Sequence, residues 1–278
     1  YGMRLIAYNP PESRRIFVAY NEPHSPAEKA GIARGTEILS VDGEQVAGGN
    51  IEILSEGIYP QSAGETHSFE VIDLEATEVR VAEIQSAEIT LAPVRMTETI
   101  EHKKGNVGYM LFNQHIGSAE IQLVEAITNF KQQDVDHLVL DLRYNGGGYL
   151  SIANQLAFMV AGNRAQNQVF ERLKFNDKHL SHDPITQAPI PDGTFLTTTV
   201  GMSADSGQPL PTLNLERVYI LTTSRTCSAS EAVINGLRGI DVEVVLIGSA
   251  TCGKPYGFYG IDNCGTTYLT IQFKGENA

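Results

Sequence analysis

Apolar and polar positions follow two different periods along this chain. Up to about residue 95 the apolar runs are short and alternate with polar residues, as half-buried strands do. Ile16-Phe17-Val18-Ala19-Tyr20 reads as a strand. Residues 25–31 read as a short helix with a serine cap, a proline in its first turn and a glycine exit. Ile38-Leu39-Ser40-Val41 then enters an Asp42-Gly43 hairpin turn. Between residues 66 and 100 apolar positions alternate with acidic ones, as in Phe69-Glu70-Val71-Ile72, which predicts further antiparallel strands. These close the first module or lead onward, with their carboxylates on solvated faces.

From Gly105 the pattern becomes strand and helix in alternation. Val107-Gly108-Tyr109-Met110-Leu111-Phe112 is a strand and residues 121–130 an amphipathic helix. A strand over 135–142 follows, then an amphipathic helix from about Tyr149 to Val160. After an aperiodic stretch, 166–216, come the strand Val218-Tyr219-Ile220-Leu221-Thr222-Thr223, a helix with apolar positions three and four apart over 232–237, and the strand 242–248. The chain thus divides into a small β-rich domain with little helix, residues 1–95, and an α/β domain, residues 96–278. The stretch 166–216 is either an excursion over the site or a disordered linker.

With 278 residues, 42% hydrophobic and 19% charged, the chain has the composition of a globular protein with a substantial core. A formal charge of −13 argues against nucleic-acid or anionic-membrane partners. No apolar run approaches the roughly 18 residues that would suggest a membrane span. The chain opens at Tyr1 without an initiator methionine, which suggests a processed or excised form. It stops directly after an apparent strand, so further C-terminal sequence is expected in the parent protein.

The chemistry sits at three strand-to-loop junctions. Thr226-Cys227-Ser228-Ala229-Ser230-Glu231 lies where a strand turns into a helix, so Ser228 meets the positive end of the helix dipole and its free N–H groups. Ser228-x-x-Glu231 is equally a capping box, and the hexapeptide alone favours that plainer role. The balance moves with Lys254, which comes straight off a strand expected to be buried and would lose hydration of its charge among apolar groups, becoming able to accept a proton from serine. The third junction, Arg143-Tyr144-Asn145-Gly146-Gly147-Gly148, is either a structural turn or a loop presenting N–H groups to an anionic oxygen. A phosphate cradle is disfavoured, because neither a Gly-Lys-Ser/Thr ending nor a G-x-G-x-x-G spacing is present.

Together, Ser228-Ala229-Ser230-Glu231, Thr251-Cys252-Gly253-Lys254 and the Asp141–Gly148 segment resemble the motifs of the C-terminal processing (tail-specific) peptidases. These are serine proteases of crotonase-like fold with a Ser-Lys pair. The resemblance implies Ser228 as nucleophile, Lys254 as general base, the N–H groups of Gly147 and Ala229 as oxyanion hole, and Glu231 and Thr251 as supporting residues. It implies protein or peptide substrates, no metal or organic cofactor, and an extracytoplasmic setting, the bacterial periplasm, with membrane attachment through a segment not in this sequence. The chain departs from the family pattern in Phe258, where many members have glutamine, in Pro255 for glycine and in Ser249 for an acidic residue. Those departures support a rival reading, a catalytically silent peptide-binding scaffold of the same fold.

Residues 25–32 and 35–43 resemble segments of PDZ domains, which bind peptide ends by strand addition. On that resemblance Gly2 and Met3 are the expected peptide contacts. The remaining candidates are weaker. Cys252 and Cys264 flank a hairpin expected around the lysine and could pair, leaving Cys227 as a small buried residue or a reactive thiol. His115 is the one histidine to weigh as an alternative base, against a plain surface or loop role. His179-x-x-His182 is a metal-like pair without a third ligand nearby.

Overall fold

The computed structural model describes residues 1–8, 11–176, 182, 189, 194–203 and 206–277, and two compact units divide the chain after Ala92. The aperiodic turns at 183–188 and 190–193, and His179 of the histidine pair, lie outside the described residues.

In the first unit the strands are β1 (Met3–Tyr8), β2 (Arg15–Asn21), β3 (Glu37–Val41), β4 (Glu44–Gln45), β5 (Thr66–Ile72) and β6 (Val79–Gln85). They form an antiparallel sheet in the order β1-β2-β3-β5-β6, with β4 paired to β3. Asp42 and Gly43 both have positive φ, 51° and 83°, as the β3–β4 hairpin requires. Helix α1 (Pro26–Lys29) is capped by Ser25, whose Oγ accepts the Glu28 N–H at 3.3 Å. A second helix, α2 (Ile51–Ile58), was not read from the sequence. Its signal is the Asn50 cap with buried Leu54 and Ile58 four apart, interrupted by Gly57. Phe69, Ile38, Val41, Leu54 and Ile84 centre this unit's own core.

The second unit contains β7 (Val94–Ile100), β8 (Asn106–Phe112), α3 (Ala119–Gln132), β9 (Val135–Asp141), α4 (Leu150–Ala161), β10 (Val169–Phe175), β11 (Thr194–Leu196), β12 (Arg217–Thr222), α5 (Ala229–Arg238), β13 (Glu243–Gly248), β14 (Tyr256–Gly257), β15 (Ile261–Asn263), β16 (Thr266–Tyr268) and β17 (Phe273–Glu276). Its main sheet runs β13-β12-β9-β8-β7. Strands β8, β9, β12 and β13 are parallel, and β7 is an antiparallel edge. A smaller antiparallel sheet runs β11-β10-β17-β14. Parallel neighbours place the loops after β8, β9, β12 and β13 at the same, carboxyl end of the sheet, where open α/β sheets bind their ligands.

Three expectations are corrected here. Helix α4 is not amphipathic, since residues 152–161 are all buried, Asn154 and Gln155 included. A strap from the aperiodic stretch covers it: the Thr198 N–H reaches Asn154 Oδ1 at 2.9 Å, and the Leu213 and Leu215 N–H groups reach the Met159 and Val160 carbonyls at 2.9 Å each. The same stretch supplies β10, whose alternating Val169, Glu171, Leu173 and Phe175 went unread. Strand β13, which leads to Lys254, is not buried: it lies at the sheet edge with Leu246 40% and Ile247 50% exposed.

Candidate active site

Ser228 stands at the tip of the turn from β12 into α5 with φ 58° and ψ −116°. A non-glycine residue held there costs on the order of 1–3 kcal/mol, a strain that persists only where surrounding bonds enforce it. Those bonds come from the glycine loop. The Thr226 hydroxyl donates to the Leu142 carbonyl at 2.8 Å, and the Cys227 N–H and Ser230 hydroxyl both donate to the Asn145 carbonyl, at 3.1 and 3.0 Å. Gly147 presses so closely on the turn that an added Cβ would lie 2.9 Å from Ser228 Cβ and 3.0 Å from the Ala229 nitrogen.

The capping role is present. Glu231 accepts the Ser228 N–H at 2.8 Å, and the Glu231 N–H in turn reaches back to Ser228, its carbonyl at 2.8 Å. Ser228 and Lys254 both line one cleft of about 1000 Å³.

Glu231 joins the two loops. Its carboxylate accepts the Thr251 hydroxyl at 2.7 Å, the Gly253 N–H at 2.8 Å and the Lys254 N–H at 2.9 Å, besides that of Ser228. Burial alone would raise its pKa. The bonds from Thr251 and from the Lys254, Ser228 and Gly253 amides outweigh burial and hold it below the ordinary value. Thr251 therefore acts through Glu231, as a second anchor of the lysine loop.

A disulfide ties the same loops, and it is not the expected one: Cys227 bonds Cys252, with Cα atoms 5.2 Å apart, and Cys264 is free and exposed. The Cys252 N–H donates to the Thr226 carbonyl at 3.0 Å, which sets the two cysteines side by side. Cys264 instead sits with φ 48° at the turn of the β15–β16 hairpin, beyond the lysine. Cys227, Glu231 and Cys252 carry metal-type donor atoms within 4.8 Å of one another, but the bond between the sulfurs occupies both. Reduction of this disulfide, or Cys252→Ser, is expected to lower kcat/KM on a peptide substrate about tenfold before the domain unfolds, because the loops then lose their covalent tie and rest on hydrogen bonds, chiefly those to Glu231. Unchanged kinetics in fully reduced, folded protein would contradict this.

His115 lies in the loop between β8 and α3, as one of the expected alternatives had it, but is buried with no exposed surface. Asn145 Oδ1 accepts the Gly147 N–H at 3.0 Å, so that atom is an acceptor, and His115 Nδ1 at 3.0 Å must be its second donor. Burial, the largest cause, lowers the His115 pKa to about 4, which leaves the ring neutral and a poor proton acceptor. Its carbonyl touches Gly148, where an added Cβ would lie 2.2 Å away, so His115 shapes the glycine loop. The Gly147 N–H, expected to face an oxyanion, is given to Asn145. The Ala229 N–H is a first-turn amide without an intrahelical partner.

Lys254 Nζ lies over the Phe258 ring, 4.9 Å from its centroid. In the first unit, Met3 lines a separate groove of about 550 Å³ between β1 and the end of α2, with Leu5 and Ile58 among its walls. Gly2 has φ 80° and its carbonyl accepts the Glu22 N–H. β1 is an edge strand beside this groove.

Comparison with known proteins is consistent in what it returns. Residues 106–257 match peptidase family S41. A carboxyl-terminal-processing protease of Picosynechococcus sp. is 27% identical over 245 residues, covering 88% of this chain and 52% of that protein. A chloroplastic C-terminal processing peptidase of Tetradesmus obliquus is 25% identical over 265 residues, covering 90% of this chain and 50% of that one. The chain thus spans about half the length of these relatives. A crystal structure of a Bacteroides fragilis protein assigned to the S41 proteases superposes with TM-score 0.70 at 26% identity, over all of this chain and 71% of the other.

Proposed function

The chain belongs to peptidase family S41, a family of serine proteases, and from that premise we propose that Ser228 and Lys254 are its nucleophile and general base. Neutral Lys254 takes the hydroxyl proton, Ser228 Oγ attacks a peptide carbonyl, and an acyl-enzyme forms as the amine leaves with the proton; water then releases the acid. The Ala229 N–H faces the oxyanion. Gly147 joins it on releasing Asn145 Oδ1. Substrates are proteins cut near their C-terminal tails, and the Cys227–Cys252 bond supports an oxidising, extracytoplasmic setting such as the periplasm. The α/β unit is taken as crotonase-like.

The observation that carries this reading is the strained Ser228 turn, lining the same cleft as Lys254. The silent-scaffold reading draws on one observation, the Lys254 ammonium resting on Phe258, a contact that attracts the charged form. A fluorophosphonate probe decides between them. It should label the wild-type protein and leave Ser228→Ala unlabelled, and a wild-type protein that takes no label supports the scaffold.

For the first unit we propose a PDZ-like role, in which a peptide end adds to the β1 edge beside Met3, with amides near Gly2 holding its carboxylate. Peptides with an apolar last residue and a free carboxylate should bind this protein at least tenfold more tightly than their amidated forms. Equal affinities would remove Gly2 and Met3 as contacts.

A further inference from the structure

The cleft that holds Ser228 continues along α5. Ser228, Glu231, Ala232 and Asn235 line it at spacings of three, four and seven, one helix face, so the row covers about 10 Å at 1.5 Å per residue. At its far end Phe170 packs on Gly236, where an added Cβ would lie 2.5 Å from the ring, bringing β10 against the helix. Alternation along the paired strands then turns Glu171 and Leu173 of β10, with Phe273 and Gly275 of β17, into the cleft. Gly275 makes room for the carboxylate: an added Cβ there would lie 1.8 Å from Glu171 Oε1.

Nothing described so far uses Glu171. Its Oε2 is buried without a hydrogen-bond partner among the described residues. Arg172, Lys174 and Lys274 alternate to the opposite face of the strands, where both lysines meet Glu276. Among the described lining residues Lys254 is the one Lys or Arg, and it rests on Phe258. Among the described residues no charge opposes Glu171, and burial pushes its carboxyl up to about 7.

We propose that Glu171 forms the floor of a subsite for a lysine or arginine side chain of the peptide substrate, about two or three extended residues from the scissile bond. Apolar walls such as Leu173, Phe273 and Tyr259 suit the aliphatic stem of such a side chain, and its terminal cation supplies the partner a buried carboxylate otherwise lacks. A hydrophobic residue would fill the same walls but leave the carboxylate unpaired. The net charge of −13 favours approach of cationic segments.

This inference rests on Ser228 as the nucleophile, and its test separates the two. Fluorescence-quenched peptides carrying lysine or norleucine at each position around the scissile bond are cleaved at roughly pH 8, where the carboxyl is ionised. At one position lysine should exceed norleucine at least tenfold in kcat/KM. That ratio should fall to about one in Glu171→Gln and be partly kept in Glu171→Asp, with circular dichroism verifying the fold. The Lys:norleucine ratio in peptide affinity of Ser228→Ala and of Ser228→Ala/Glu171→Gln gives the same comparison without turnover. No lysine preference at any position, or a preference that survives Glu171→Gln, overturns the subsite. Cleavage that persists in Ser228→Ala overturns the catalytic assignment alone.

Discussion

Ser228→Ala and Lys254→Ala are each expected to lower kcat on a peptide substrate by on the order of 10⁴-fold or more, and the double variant should be hardly worse than either. A nucleophile without its base, or a base without its nucleophile, removes the same step, so the losses do not add. Lys254→Arg should be as inactive as Lys254→Ala, because a guanidinium does not give up its proton. His115→Ala is the informative control. The ring lies beside the glycine loop but is neutral, with its Nδ1 proton already given to Asn145, so its loss should act through loop packing and leave far more than the residual Ser228→Ala rate. A histidine variant as inactive as Ser228→Ala, together with a lysine variant at wild-type pace, would move the base to His115.

The second large effect is expected at Glu231. Glu231→Ala withdraws the acceptor shared by Ser228, Thr251, Gly253 and Lys254, leaving partly buried donors unpaired; a stability loss of about 2–4 kcal/mol and a fall in kcat/KM of about 10²- to 10³-fold follow. Its pH signature has a fixed sign. A carboxyl held below its ordinary value of 4.5 contributes stability that is complete above that value and lost as pH falls through the lower folded value. Wild-type melting temperature should therefore drop on acidification below about 4.5 more steeply than that of Glu231→Gln. Glu120 and Asp141 are also held low and contribute to the wild-type slope, so the difference between the two proteins is the measurement that isolates Glu231. Parallel curves for the two, or Glu231→Ala within threefold of the wild-type rate, would reduce Glu231 to a helix cap.

The three junctions could be read because each is a strand, a break and a helix or loop, and a change of period marks such units locally. Their convergence could be read only through the family motifs. What failed depended on contacts between segments distant in sequence. Cys227 and Cys252 pair because a backbone bond from Cys252 to Thr226 sets them side by side, and no spacing rule reveals that bond. Helix α4 shows polar residues in sequence but is covered by Thr198, Leu213 and Leu215, so Asn154 and Gln155 are buried by a partner that periodicity does not report. Strand β13 has the apolar composition of a central strand, yet the topology puts it at the sheet edge. His115 is the loop residue its place after β8 suggests, but it is not exposed, because the glycine loop closes over it. The Gly147 amide looked free because the side chain that accepts its hydrogen bond, Asn145, lies two residues away in the same loop and reads as turn chemistry.

The bond between Cys227 and Cys252 spans a sequence separation of 25, and α5, β13 and Glu231 all lie inside that span. A chain cut once anywhere between the two cysteines remains a single covalent molecule. Self-digestion in the β13 edge or its flanking turns would therefore release no fragment on a non-reducing gel, and two pieces would separate only after thiol treatment. The serine-bearing and lysine-bearing halves would stay linked through such damage, so the number of bands on a reducing gel would overstate how many molecules had lost their site.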